Sequence, residues 1–222
     1  MEIKKLRTPK EVLLESGETL EQALESHKKW LQKDKDGERL ILIGEDLSDV
    51  NLSNANLSNA NLSYCNLSYC DLSYCNLYNA NLCYVDLTIT NLSCANLNYA
   101  NLVHADLSYV DLGNANLRNA NLNYCNLSYT YLLGVNLTKA SFYLTNLYEA
   151  KGEFVGIENI GSRNDTTHYF YNDDRVICGC FDGSMEEFED KVKNEYSEDN
   201  KYYKQYIVAI KILKELAEIN KQ

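Results

Sequence analysis

The 222 residues carry a formal net charge of −11 and an isoelectric point near 4.8, which argues against nucleic acid or an anionic membrane as a direct partner. No apolar run reaches the length of a membrane-spanning helix, and Met1 opens a charged segment rather than a signal peptide, so the expected location is cytoplasmic. The length allows one to two domains.

Residues 1–45 are predicted as an N-terminal helical cap. Thr8-Pro9-Lys10-Glu11 has the Thr-x-x-Glu pattern of a capping box with Pro at the first helical position, and Gly17 ends that short helix. Thr19 with Gln22 starts a second helix, whose apolar stripe is Leu20, Ala23, Leu24, His27, Trp30 and Leu31. Asp34-Lys35-Asp36-Gly37 reads as a turn, and Leu40 to Ile43 as a short strand leading into the next segment.

From residue 46 to 150 the chain repeats every five residues. Leu stands at 47, 52, 57 and onward to Leu137, and Phe142 and Leu147 complete 21 consecutive units. Asn or Asp usually precedes the Leu, and a small residue (Ala55, Ala60, Cys65, Cys70, Cys75, Ala80) stands two before it. On an α-helix a step of five scatters the leucines around the axis, and on a flat strand an odd step alternates their faces. Only a chain that turns a corner every five residues keeps every Leu inside, which is a solenoid.

Ala-Asn-Leu-Ser-Asn and its variants resemble the pentapeptide-repeat family. The resemblance implies a mainly β fold: a right-handed quadrilateral β-helix of about five coils, with four repeats per coil and the Leu and the small residue inward. Most known members have no catalytic activity, and some resemble DNA closely enough to bind bacterial type II topoisomerases. An open coil end exposes unpaired backbone and apolar core, so His27 and Trp30 read as cover for the first coil rather than as a site.

Positions 20 apart stack in such a helix. Tyr64, Tyr84, His104 and Tyr124 then share one column, and Tyr69, Ile89, Tyr109 and Tyr129 the column on the adjacent face. A third face is more polar at that position, with Asn59, Asn79, Tyr99, Asn119 and Lys139. Asp46, Asp86 and Asp106 stack on one face and Asp71 and Asp111 on its neighbour. The remaining Asn residues are expected to hydrogen-bond their own turns. Cys65, Cys70, Cys75 and Cys125 fill the small inward position and read as reduced packing groups. A metal site in the Cys65/Cys70/Cys75 coil is the alternative, without a His partner or the usual CxxC spacing.

Residues 151–222 leave the repeat and are predicted as a small C-terminal α+β (ββαα) domain. Lys151 to Ile160 reads as a linker or last partial coil. Thr166–Tyr171 and Arg175–Cys180 form a hairpin around Asn172-Asp173-Asp174. Ser184 with Glu187 caps a helix carrying Phe188, Val192 and Tyr196, and a longer helix carries Tyr203, Tyr206, Ile207, Ile210, Leu213 and Ala217 on one stripe. The run Gly179 to Gly183 followed by Glu187-Phe188 resembles a module of phage and prophage pentapeptide-repeat proteins.

Three function classes follow. The first is a non-catalytic scaffold binding a protein partner, with no cofactor or metal, through Tyr64, Tyr84, His104, Tyr124, Tyr69, Tyr109, Tyr129, Asp86 and Asp106; aromatic columns that merely brace the coils are its structural counterpart. The Asn-, Lys-, Ile- and Tyr-rich composition suits a phage-encoded modulator of a host system, such as an anti-defence protein. The second is a DNA mimic acting on a topoisomerase. Seven acidic residues against Arg118 and Lys139 give the repeats a net charge of −5, about a third of the roughly 15 phosphates on ~25 Å of duplex. The third is an enzyme or small-ligand site in the C-terminal domain, at Cys178 and Cys180 beside His168 or at an anion pocket of Arg163, Arg175 and His168; homo-oligomers through that domain also stand open. No P-loop, GxGxxG or GxSxG is present.

Overall fold

The five-residue period is a corner every five residues. In the computed structural model, which describes residues 5–137, 139–141, 144–152, 155–160, 165–171, 174–178 and 181–220, each repeat makes one short bridge and one turn. Bridges join residues 20 apart from Ile41–Asn61 to Asn126–Asn146, all parallel, so a coil holds four repeats. Both directions of the ladder are used: Leu62 N–H donates to Asn81 O at 2.8 Å, Tyr64 N–H to Cys83 O at 2.9 Å, and Asn61 N–H to Leu40 O at 3.0 Å.

The corner is set by the residue two after each Leu. These residues hold positive φ, as at Asn59 (60°), Tyr84 (58°) and Tyr109 (60°), and the next N–H closes the turn onto the Leu carbonyl, as from Ala60 to Leu57 O at 3.0 Å. That is type II turn geometry, which needs the left-handed region at its third residue. At Gly134 (φ 71°) a Cβ would also stand 2.4 Å from Asn114 Oδ1. The Asn or Asp before each Leu accepts the N–H two residues on, as Asp86 Oδ1 does from Thr88 N–H at 2.9 Å, confirming that these residues hydrogen-bond their own turns. Asn side chains also ladder between coils, with Asn96 Nδ2 donating to Asn76 Oδ1 at 3.0 Å and Asn76 Nδ2 to Asn56 Oδ1 at 3.1 Å.

The leucines from Leu47 to Leu127 are almost wholly buried, each contributing about 2 kcal/mol of apolar transfer. The small inward residues have a second task when they carry a donor. Cys70 Sγ bonds Leu47 O at 2.9 Å, Cys75 Sγ bonds Leu52 O at 2.7 Å, and Thr90 Oγ1 donates to Leu67 O at 2.7 Å. Cys65 likewise bonds Leu42 O.

The solenoid belongs to a compact unit spanning Met1–Lys151, and its first coil begins earlier than predicted. Leu42 N–H pairs with Asn61 O at 2.8 Å and Gly44 N–H with Ser63 O at 3.0 Å, so Ile41–Gly44 is a degenerate repeat that its Ile and Gly hide. The short first helix is only a 3-10 turn, Pro9–Glu11, with Thr8 N–H bonded to Glu11 Oε2 at 2.7 Å. Arg7 then lies along the open coil edge, its N–H on Asp49 O and its carbonyl accepting from Asn51. Helix α1 (Leu20–Leu31) starts at Thr19, whose capping box with Gln22 forms as expected, and buries Leu20, Ala23 and His27.

The second unit, Gly152–Gln222, holds a four-stranded antiparallel meander rather than a hairpin: β1 (Val155–Ile160), β2 (Asp165–Phe170), β3 (Arg175–Cys178) and β4 (Phe181–Gly183), in that order across the sheet. Of the segment read as a linker or last partial coil, Lys151 still continues the coil, its N–H on Thr130 O at 2.8 Å, and Val155–Ile160 is strand β1, so ββαα becomes ββββαα. Helix α2 (Met185–Glu195) carries the Ser184–Glu187 box, and α3 (Lys201–Asn220) lays Tyr206, Ile210, Leu213 and Ala217 on Phe188 and Val192 of α2 and Tyr169, Val176 and Cys178 of the sheet.

Candidate partner-binding face

Each coil has four sides, named here by their leucines: side 1 contains Leu67, Leu87 and Leu107, side 2 Leu72 and Leu92, side 3 Leu77 and Leu97, and side 4 Leu82 and Leu102. The residue two after each Leu stands on the corner leaving its side. Tyr64, Tyr84, His104 and Tyr124 occupy the corner between sides 4 and 1, and Tyr69, Ile89, Tyr109 and Tyr129 the corner between sides 1 and 2. The two columns therefore do not meet at one corner, as a face-by-face reading expects. They stand at the two edges of side 1.

The first column is a continuous stack. Ring centroids are 4.9 Å apart for Tyr64–Tyr84, 4.7 Å for Tyr84–His104 and 4.7 Å for His104–Tyr124, with interplanar angles of 2°, 17° and 16°. In the second column Tyr109 stacks on Tyr129 at 4.7 Å, and Tyr148 meets Tyr129 edge-on; Ile89 stands between Tyr69 and Tyr109. These spacings are the coil repeat itself. The rings remain largely in solvent: Tyr64 is 60% exposed, Tyr84 49% and Tyr109 57%.

On the coils of Tyr64 to Tyr124 only short side chains lie between the edges: Asn66, Asp86, Asp106 and Asn126, then Ser68, Thr88, Ser108 and Ser128; Tyr148 takes the next place in the second row. Asp86 and Asp106 are half-buried, and each accepts its own turn's N–H at 2.9 Å. Three extended residues at about 3.3 Å each separate the corners, so the edges stand about 10 Å apart. Sequence reasoning found the columns but missed that the acidic pair lies between them; the offsets 84, 86 and 89 were the signal.

The other candidates are engaged within the fold. His27 is buried and stacks on Trp30 at 5.5 Å. Its Nδ1 accepts Leu40 N–H at 3.1 Å, so Nε2 donates to Ser58 O at 3.1 Å, fixing the neutral tautomer. Burial lowers its pKa first of all. Burial likewise pushes the Cys65 thiol up to about 11 and those of Cys70, Cys75 and Cys125 to about 12, the reverse of a reactive or metal-binding thiol. Among the described residues no His, Cys, Asp and Glu group is arranged to hold a metal ion.

In the second unit Cys178 faces the helices, and its Sγ accepts from Thr167 Oγ1 at 3.0 Å. His168 and Arg175 share the opposite sheet face through the pairs His168–Ile177 and Phe170–Arg175. His168 is buried, which pushes its pKa down to about 4, and Arg175 makes a two-pronged bond to Asp182. Arg163 and Cys180 lie outside the described residues.

The model of the pentapeptide-repeat family matches residues 46–82, 70–108, 86–123 and 115–151 of this chain, eight copies in all. The chain belongs to the pentapeptide-repeat family. Among solved structures the chain is similar to HetL, a pentapeptide repeat protein involved in heterocyst differentiation regulation from the cyanobacterium Nostoc sp. strain PCC 7120, at 31% identity over 52% of this chain and 56% of that one, with a TM-score of 0.35. It is similar to Rfr23 of the cyanobacterium Cyanothece 51142 at 30% identity, covering 57% of this chain and 91% of that one, TM-score 0.33. A trypsin-treated form of QnrB1, a plasmid-mediated fluoroquinolone resistance protein, matches at 18% identity over 51% of this chain and 74% of that one, TM-score 0.42. The chain thus spans just over half the length of HetL. A comparison with curated protein sequences finds no match.

Proposed function

We propose that this pentapeptide-repeat protein is a non-catalytic scaffold that binds a protein partner through side 1. The observation that carries this reading is the pair of exposed aromatic columns at its edges. Tyr is enriched at binding interfaces and costs little entropy to immobilise. The backbone also speaks for a role beyond folding. The corner demands positive φ, which Asn adopts several-fold more readily than most residues, and Asn fills it at Asn54, Asn59, Asn79, Asn114 and Asn119. Tyr at the same backbone position carries a conformational cost and leaves half its ring in water. Local rules broken in this way are expected at functional sites.

We take the setting to be cytoplasmic and the partner to be a host protein, with the chain a phage-encoded modulator; the acidic, Asn- and Tyr-rich composition supports this. No helix of the described residues is long and apolar enough to cross a membrane. The test is differential capture from bacterial lysate with wild type and a Tyr84→Ala/Tyr109→Ala variant as baits. The reading expects a protein bound by wild type and lost by the variant, while the variant melts within a few degrees of wild type. Identical captured sets would overturn it.

A further inference from the structure

The Asn/Asp ladder of side 1 is incomplete. At its far end Asn amides donate to the side chain one coil back, Asn126 Nδ2 to Asp106 Oδ1 at 3.1 Å and Asn146 Nδ2 to Asn126 Oδ1 at 3.0 Å. At Asp86 and Asp106, paired across neighbouring coils, two carboxylates stack with no amide between them. Across all four columns of the solenoid these are the only acidic residues directly stacked. An Asn at 106 would supply an amide donor to Asp86 and remove the like-charge contact, so this step sacrifices solenoid stability. Among the described residues no cation pairs with either carboxylate. The pair sits between the aromatic edges, flanked by Tyr84 and Ile89 on one coil and His104 and Tyr109 on the next.

We propose that side 1 receives an α-helix of the partner protein, laid along the solenoid axis with two basic side chains one helical turn apart on Asp86 and Asp106. This rests on the reading of side 1 as the partner-binding face. Two dimensions and the paired backbone select the helix. The carboxylates repeat with the coil spacing, 4.7 Å between the Tyr84 and His104 rings on the same coils. Helical residues three or four apart rise about 4.5 to 6 Å, whereas same-face residues of an extended segment recur only about every 6.7 Å. The side, about 10 Å between edges, matches a helix about 10–12 Å across. Strand addition is closed off because the backbone is already paired: Asp86 N–H bonds Cys65 O at 3.0 Å and Leu87 N–H bonds Asp106 O at 2.8 Å. The aromatic edges take the aliphatic stems and apolar flanks of such a helix, while its charged ends reach the carboxylates. Nucleic acid does not fit, since its phosphates would meet two carboxylates on a chain of net charge −11.

The test uses the full chain and two labelled, stapled alanine-based helices of identical composition, followed by fluorescence anisotropy. One peptide has its two Arg residues four positions apart, on one face; the other has them two apart, on different faces. The four-apart peptide is expected to bind about tenfold more tightly, the worth of two surface ion pairs. Asp86→Asn/Asp106→Asn, which keeps the turn acceptors and mends the ladder, is expected to erase that preference with melting unchanged or improved. Equal binding of the two peptides, a preference that survives the Asp variant, or no binding at millimolar peptide would each overturn the proposal. Failure of the broader reading is seen separately, as capture that does not change in the Tyr84→Ala/Tyr109→Ala variant.

Discussion

Replacing Tyr84 by Asn separates a binding surface from a brace. The ring is 49% exposed and stacks on Tyr64 at 4.9 Å and on His104 at 4.7 Å. Two aromatic contacts at an exposed position are worth about 1 to 2 kcal/mol together. Against this, Asn suits the 58° φ of position 84, and a several-fold preference for the left-handed region returns about 1 kcal/mol. The net cost is therefore about 0 to 1 kcal/mol, a fall in melting temperature of roughly 0 to 4 °C for a chain of this size. Leu87→Ala, on the same coil and fully buried, is expected to cost about 2 to 5 kcal/mol. Urea unfolding followed by circular dichroism measures both on one scale. A loss at Tyr84→Asn above about 3 kcal/mol, or equal to that at Leu87→Ala, would refute the reasoning and make the columns structural supports.

Further outcomes follow from the same geometry. His27→Ala leaves Leu40 N–H and Ser58 O without their ring partners and is expected to cost about 2 to 5 kcal/mol, read as lower urea stability; a loss below 1 kcal/mol contradicts the tautomer assignment. His168, with a folded pKa near 4, stays neutral while the unfolded chain takes up a proton near 6.5. Its contribution is thus full above about pH 6.5 and declines as pH falls toward 4, by about 3 kcal/mol at most. Urea midpoints of the second unit's transition should lose part of that slope in His168→Gln, and an unchanged slope would count against a neutral buried ring. In native alkylation read by mass spectrometry, half-buried Cys94 should react before Cys65, Cys70, Cys75 and Cys125; equal rates would contradict the buried thiols. Supercoiling by a type II topoisomerase should be unaffected at micromolar protein, whereas inhibition relieved by duplex DNA would favour DNA mimicry.

The solenoid was legible because its period is a covalent fact. A corner every five residues determines which side chains share a column, and the stacking of Tyr84 on His104 followed from counting by 20. What stayed hidden depended on the backbone. Ile41–Gly44 lacks the Asn-Leu signature, so only the hydrogen bonds of Leu42 and Gly44 admit it to the first coil. Strand β1 carries Gly156, Glu158 and Asn159 among its apolar residues, which blurs the alternation a strand announces. The thiols of Cys70 and Cys75 were readable as small plugs, but not as donors to Leu47 and Leu52, because that partner is fixed by the coil above. Side 1 was legible only in part: both columns and both Asp residues were named, yet their convergence on one side needed the corner's position relative to each Leu.

The most direct test of side 1 as the partner-binding face is site-specific photo-crosslinking in the native host. Benzoylphenylalanine is placed at position 109, on the edge of side 1, and at position 79, on the far corner between sides 3 and 4. A single protein adduct formed from position 109 and absent from position 79 is the predicted result. The same adducts from both positions, or none from position 109, would contradict it.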